Sequence, residues 1–467
     1  MDQGKPTRRD FLKGAAAVGA LSILPDTLSP AGETPGRPNI LFLFPDQHRF
    51  DWVPWNPGVP VRMPNLRALA DRGVRFNRAF TPSPLCAPAR ACLAAGKEYA
   101  RCGVVSNGQN YPIAQTTFYK LLRDRGYHVM GCGKFDLHKA SSDWGLDGKR
   151  WLKEWGFSDG IDNGGKGDAV RAGRKEPKDP YMAFLEKRGL RQTHIDDSRR
   201  RSQTGASAAF PTPLPDDAYC DNWVGQNGID LLRAAPKEKP WFLQVNFTGP
   251  HPPWDITQGM TKLYEAVEFP QPNGGRGLAP EQNAAVRRNY SAMITNIDRW
   301  IGVYIEELRK RGELENTLIV YSSDHGEMLG DHESWGKSAP YQPSVGVPLV
   351  IAGPGVKRGL VSDALVSTMD LAATFLDCAA IKLPKDMDSL SLRPVLDGSK
   401  TSHRDHVLSG LCPWSMVWDG RYKLIKGFEN TGDPALFDLR DEPLENRNVA
   451  AENKDTVERL SRLMATR

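Results

Sequence analysis

The sequence predicts an α/β fold: a mostly parallel central sheet flanked by helices, then a small antiparallel sheet and a helix at the C-terminus. Three observations carry this expectation. Short apolar runs alternate with stretches of helical character, the pattern of strands joined by helical crossovers. Four of these runs lead into carboxylate, imidazole or ammonium residues, as strands do when they feed a site at one sheet edge. Beyond about residue 404 the runs crowd together without intervening helices, which suits antiparallel pairing.

The first strand is expected at Ile40-Leu41-Phe42-Leu43-Phe44, an uninterrupted apolar run of the kind buried on both faces. Helical stretches follow from Met63 to Arg72 and from Thr116 to Arg125. Tyr127-His128-Val129-Met130 is a second strand. Residues 140–220 are rich in Gly, Lys, Arg and Asp with little apolar periodicity, and read as a long insertion away from the core. A third strand runs from Trp241 to Phe247, a long helix from Ala284 to Arg311, a fourth strand from Leu318 to Tyr321, and a further one from Pro348 to Ile351. The polar stretch Lys382 to Asp388 marks a linker, so the main domain is set at 36–380 and a C-terminal subdomain at 400–467. In that subdomain Met416-Val417-Trp418, Tyr422 to Ile425 and Ala435 to Leu439 are short strands, with a helix from Thr456 to Met464.

The strand-end rule gathers a site before any family is considered. Asp46-Gln47 follow the first strand; Lys134, Asp136 and His138 the second; His251 the third; Asp324-His325 the fourth. Asp46, Asp324, the amide oxygen of Gln47 and His325 form an oxygen-rich set with one nitrogen, which favours calcium or magnesium over zinc.

A chain of 467 residues with 25% charged and 40% hydrophobic content is an ordinary globular protein. The net charge of +5 is mild, so no nucleic-acid partner is expected. No apolar run reaches membrane-spanning length. The N-terminus carries an address instead. Thr7-Arg8-Arg9-Asp10-Phe11-Leu12-Lys13 precedes an apolar segment from Gly14 to Leu24 and a small-residue site at Ser29-Pro30-Ala31. Residues 1–31 therefore look like a bacterial twin-arginine signal, implying the Tat translocase as a partner and a periplasmic or secreted destination. None of the seven cysteines forms a CxxC pair, which argues against a zinc knuckle.

Cys86-Ala87-Pro88-Ala89-Arg90 is the most informative segment. Pro88 falls where a helix would begin, Ala89 to Ala95 continue it, and Gly96 closes it. Cys86 then sits at a helix N-terminus, where free N–H groups favour a negative atom. The motif Cys-x-Pro-x-Arg followed by Gly96-Lys97 resembles the signature of formylglycine-dependent sulfatases, of the alkaline-phosphatase-like superfamily. Further resemblance lies in Pro38 to Gln47, Tyr127 to Lys134, Asp324-His325-Gly326-Glu327 through Lys337, and Leu436-Phe437-Asp438-Leu439 through Asn446.

The resemblance implies that a formylglycine-generating or sulfatase-maturating enzyme oxidises Cys86 to an aldehyde whose hydrate is the nucleophile. It also implies that Asp46, Gln47, Asp324, His325 and position 86 hold one calcium or magnesium ion. Lys134 and Lys337 would offset charge on the sulfate oxygens, Arg90 would hold the hydrate, and His251 would protonate the leaving alcohol. The implied substrate is a sulfate ester on a polysaccharide or oligosaccharide. A phosphonate monoester or phosphodiester hydrolase of the same superfamily is the nearest enzymatic alternative, and a non-catalytic sugar-binding relative the other. Two departures stand out. Gln47 replaces a frequent second aspartate, and Gly133-Lys134-Phe135-Asp136 lacks the histidine of the usual Gly-Lys-x-His. The base that promotes sulfate release is then expected at Asp136 or His138. His138 is favoured, because imidazole titrates near neutrality and a carboxylate beside Lys134 is a weak base. Finally, Arg191, His194, Arg199, Arg200 and Arg201 suggest a cationic wall over the cleft or a solvated basic loop.

Overall fold

The computed structural model describes residues 36–274, 277–428 and 434–465. The leader expected at residues 1–31 lies outside them. Nine strands form the central sheet: β1 (Asn39–Leu43), β2 (Gly73–Phe80), β3 (His128–Gly133), β4 (Asp159–Asp162), β5 (Trp241–Asn246), β6 (Thr317–Ser322), β7 (Gly346–Ala352), β8 (Leu360–Ser362) and β9 (Val366–Ser367). Their order is β4-β3-β5-β1-β6-β7-β2-β8, with β9 also on β2. Pairing is parallel throughout except on either side of β7, which runs antiparallel to both β6 and β2. Two reversals restore direction, so β2 points the same way as β6. The C-terminal ends of β3, β5, β1, β6 and β2 therefore share one edge.

The helices Pro64–Asp71, Phe118–Asp124 and Pro280–Arg311 fall where the sequence places them. Two apolar layers sandwich the sheet. One joins Leu41, Leu243 and Ile319 to Ile294 and Ile301 of the long helix; the other joins Ile40, Phe42 and Phe242 to Phe118 and Phe375. Alternate residues of β1 thus feed opposite layers, which is why the strand is apolar at every position after Asn39.

One expectation needs correction. Residues 140–220 are not an excursion from the core. They supply edge strand β4 and the helices Pro180–Lys187 and Arg191–Thr204, and bury Tyr181, Met182, Leu185 and Tyr219. Their burial relies on capping and internal ion pairs, Asp179 capping Met182 and Arg201 pairing with Asp197, so no apolar stripe announces it. The stretch 380–400 lies between two sheets. The second sheet, β10 (Val407–Leu411), β11 (Trp414–Trp418), β12 (Tyr422–Lys426) and β13 (Ala435–Asp438), is antiparallel and backed by the helix Lys454–Ala465. Its other face packs Trp414, Met416 and Trp418 against Phe80 and Met328 of the main domain.

Candidate active site

Cys86 stands at the centre of the edge. It is the first residue of the helix Cys86–Ala95, which ends at Gly96 in the left-handed region (φ 63°). Pro88 is therefore the third helical residue and not the first. A loop from the end of β2 carries Cys86 over the other strand ends, and it is only 1% exposed.

Asp46, Cys86, Asp324 and His325 offer one ligand atom each, all within 4.8 Å of one another. His325 donates from Nδ1 to the Gly326 carbonyl (3.0 Å), since that oxygen can only accept. Its Nε2 lone pair is left facing Cys86 Sγ at 3.3 Å, with Asp324 Oδ2 at 3.6 Å and Asp46 Oδ1 at 3.8 Å. Two buried carboxylates and one neutral-type imidazole nitrogen aimed at a common point fit a hard divalent cation. Gln47 enters differently. Its backbone takes φ 70°, its amide oxygen accepts from Lys337 Nζ (2.6 Å), and its amide nitrogen donates to Glu327. Glu327 also accepts from the backbone of Leu329 (3.0 Å) and Gly336 (2.6 Å), fixing the loop that carries Lys337. The sequence shows Glu327 in its motif but gives no sign of this holding role.

Cations surround the cysteine. Lys337 Nζ lies 3.1 Å and Lys134 Nζ 3.5 Å from Sγ. Burial and the neighbouring Asp46 oppose ionisation of the thiol, but Lys134 and Lys337 outweigh them and hold it well below its ordinary range. Burial likewise opposes charge on Asp46, and Lys134, His251, Lys337 and Arg90 overcome it, leaving the carboxylate well below the usual range. Arg90 does not face the position-86 group as expected. Its guanidinium bonds Asp324 (3.0 Å), Asp46 (3.3 Å) and Asn246 (3.1 Å) and lies over Phe44, so it orients the carboxylates. Its fork matches two carboxylates better than one small oxygen group.

His251 lines the same cavity of about 430 Å³ as Cys86, Lys139 and Lys337. Its loop is pinned by Asp221, which accepts from the backbone of Thr248 (2.7 Å) and Gly249 (2.9 Å). Nδ1 donates to the Pro252 carbonyl, leaving Nε2 for chemistry. Burial first, then Lys337, pushes this imidazole below its usual value.

His138 is not brought to the cavity. Its ring packs on Trp151 at 4.2 Å between centroids, because the short turn after it reverses the chain and turns its neighbour inward. That neighbour is Lys139, which the sequence reading passed over. Lys139 Nζ bridges Asp136 (2.8 Å) and Asp168 (2.7 Å), and Asp136 also meets Lys134 at 3.2 Å. Asp136 is a positioning residue that spaces two ammonium groups. Accordingly, His138→Ala is expected to keep steady-state turnover within about twofold. Asp136→Asn should lower kcat by about 10²-fold, the scale of an ångström-level misplacement of a reacting group. Equal losses in the two variants would contradict this assignment.

The fold and site define an arrangement: a buried cysteine at a helix start, beside a cluster that could hold a metal ion, on the edge of an α/β sheet. The family model "Sulfatase" matches residues 38–381, and that of the N-sulphoglucosamine sulphohydrolase C-terminal region matches residues 330–466. The chain belongs to the sulfatase family and is a sulfuric ester hydrolase. It is 28% identical to an arylsulfatase of Clostridium perfringens, over 92% of this chain and 94% of that protein. It is 29% identical to a choline-sulfatase of Rhizobium meliloti, over 91% and 85%. Among solved structures it resembles a phosphonate monoester hydrolase from Silicibacter pomeroyi, with TM-score 0.75 and 26% identity over 91% of this chain and 94% of that one. It also resembles BT4656 in complex with D-glucosamine-2-N,6-O-disulfate, with TM-score 0.71 and 21% identity over 92% and 97%. A twin-arginine signal model matches residues 5–25, so the chain is exported by the Tat route to the periplasm or beyond. No helix among the described residues is long and apolar enough to cross a membrane.

Proposed function

We propose that this enzyme removes sulfate from a saccharide, using a formylglycine made from Cys86 and one bound calcium or magnesium ion. The observation that carries the reading is the position of Cys86 Sγ: 3.1 Å from one lysine, 3.5 Å from another, and inside a four-ligand cluster. The cation and the hydrated aldehyde together supply an oxygen nucleophile near neutral pH. The chain's own groups do the rest. Lys134, buried, and Lys337, half-buried, face the place where sulfate oxygens gather charge. Arg90 keeps Asp46 and Asp324 aimed at the ligand point. With Nδ1 donating to the Pro252 carbonyl, His251 gives a proton from Nε2 to the leaving oxygen only when the ring is doubly protonated. Burial and Lys337 disfavour that form, so the acid role fades as pH rises. The saccharide class is supported by the names of two relatives: an N-acetylglucosamine-6-O-sulfatase of Bacteroides thetaiotaomicron, 24% identical over 92% of this chain, and the glucosamine disulfate complex above.

The test is a panel of sulfated mono- and disaccharides, 4-nitrophenyl sulfate and a phosphonate monoester. A higher kcat/KM for at least one sulfated sugar than for the phosphonate is expected. The reverse order would move the enzyme to the phosphonate hydrolases, a reading favoured only by the TM-score of 0.75. His251→Gln should cost about 10²-fold on sugar sulfates but far less on 4-nitrophenyl sulfate, whose phenolate leaves without a proton. Equal losses would remove His251 from the acid role.

A further inference from the structure

The basic residues Arg191, Arg199 and Arg201 are not a free cationic wall, since they pair with Glu186, Asp196 and Asp197. Arg200 lies over Phe210. The cation that bears on the site is buried. Lys166 comes just after β4, and its side chain is 1% exposed. Its Nζ donates to Asp255 Oδ1 (2.6 Å) and to the Tyr219 hydroxyl (2.8 Å), and stands 3.8 Å from Asp221 Oδ2. Met293 Sδ lies at 3.5 Å. Tyr219 in turn donates to the Asp255 carbonyl (3.0 Å), with its ring centroid 4.6 Å from the ammonium.

The two carboxylates act at opposite ends of the loop that carries His251. Asp221 accepts from the backbone of Thr248 and Gly249, where the chain leaves β5, and Asp255 stands where the loop ends. Lys166 thus bridges entry and exit, with His251 between them. The turn that carries it is fitted to the same loop. Gly165 takes φ 65°, and a Cβ there would meet Thr248 at 3.0 Å and the Lys134 chain at 3.1 Å. A buried ion pair is weak evidence of stability, because apolar side chains of similar volume often replace one without loss. Its worth here is positional. Burial opposes charge on Lys166, but Asp255 and Asp221 overcome it and raise its pKa above the ordinary value, so the ammonium persists at neutral pH.

We propose that Lys166 is a positioning residue: by clamping both ends of the loop, it sets the reach of His251 Nε2 to the leaving oxygen. Lys134 directly follows β3, but His251 lies well out along its loop, so its placement depends on what holds that loop. An ångström-level error in placing a reacting group costs about 10²-fold. The inference rests on the acid role of His251 and adds to it the residue that places the acid.

Two variants test it, with His251→Gln as the reference. Lys166→Met removes the ammonium at similar length. Tyr219→Phe removes only the hydroxyl that joins Lys166 to the Asp255 carbonyl, so it decides the question if Lys166→Met does not fold. In both, Asn289 still donates to the Trp254 carbonyl (2.7 Å), so the loop is expected to shift and not to unfold. Turnover is measured on a sugar sulfate that the wild type hydrolyses and on 4-nitrophenyl sulfate, whose leaving group needs no proton. On the sugar sulfate, kcat is expected to fall about 10²-fold in Lys166→Met and about tenfold in Tyr219→Phe, with KM unchanged. On 4-nitrophenyl sulfate both variants should stay within about twofold, whereas a mere loss of folded protein lowers both substrates equally. Equal losses on the two substrates, or no loss in Tyr219→Phe, would overturn the clamp, while a selective loss in His251→Gln would keep the acid role. Equal losses in His251→Gln itself would overturn both.

Discussion

The tryptic peptide from Ala79 to Arg90, taken from enzyme made beside a maturation system, is expected to carry an aldehyde in place of the Cys86 thiol. Cys86→Ala should lower kcat/KM by about 10⁴-fold or more, the scale seen when a nucleophile is removed from an intact site. The physical reason lies in what an unconverted cysteine does in this setting. With Lys337 and Lys134 at 3.1 and 3.5 Å and the thiol held toward its anion, sulfur satisfies the ammonium groups that should meet sulfate oxygens. Unconverted protein is thus self-blocked as well as lacking its nucleophile. Full activity in protein whose peptide retains the thiol would refute the mechanism.

The second large effect concerns the metal cluster. Asp324→Asn is expected to reduce activity by about 10³-fold or more and to lower bound metal from near one per chain to a small fraction, read by elemental analysis. One Asp324 oxygen accepts from the backbone of Gln47 (3.0 Å) and His325 (2.9 Å), and the other meets Arg90 (3.0 Å). An asparagine keeps the first role but turns an amide donor or a neutral oxygen toward Arg90, leaving that buried guanidinium short of countercharge. Gln47→Ala should cost only about tenfold, because Gln47 is neutral and its oxygen is already engaged by Lys337. Chelation should abolish turnover, and calcium or magnesium should restore it. Stoichiometric zinc in active protein, or retained metal in Asp324→Asn, would contradict the assignment.

Much of this site can be read in the chain because four of its suppliers are strands buried on both faces. β1, β5 and β6 are buried at every position and mostly apolar, and their ends name Asp46, His251 and Asp324-His325 directly. The supplier of Cys86 is harder to see. β2 reads Gly-Val-Arg-Phe-Asn-Arg-Ala-Phe, polar at three positions and paired with antiparallel β7, and nothing local signals that two reversals return it to the shared edge. Loop register is illegible for a different reason. Between Asp136 and Lys139 there is no periodicity to say which side chain points inward, and the structure selects Lys139 over His138 through the turn that follows. The helix Arg191–Thr204 is hidden by its composition, since its buried members include a histidine and a paired arginine.

The depth of Cys86 has a consequence for the order of events in the cell. At 1% exposure, and walled in by Lys134, Lys337 and His325, position 86 admits small molecules but not the active site of another enzyme. The proposed conversion to an aldehyde would then have to race the folding of the chain and finish first. Twin-arginine export accepts the protein only after folding, so a molecule that closes too early crosses the membrane with its thiol sealed inside. Under that proposal, the fraction of competent enzyme outside the cytoplasm would be set by a contest of rates within it: how fast the strand ends assemble over residue 86, against how fast a maturation system finds that residue.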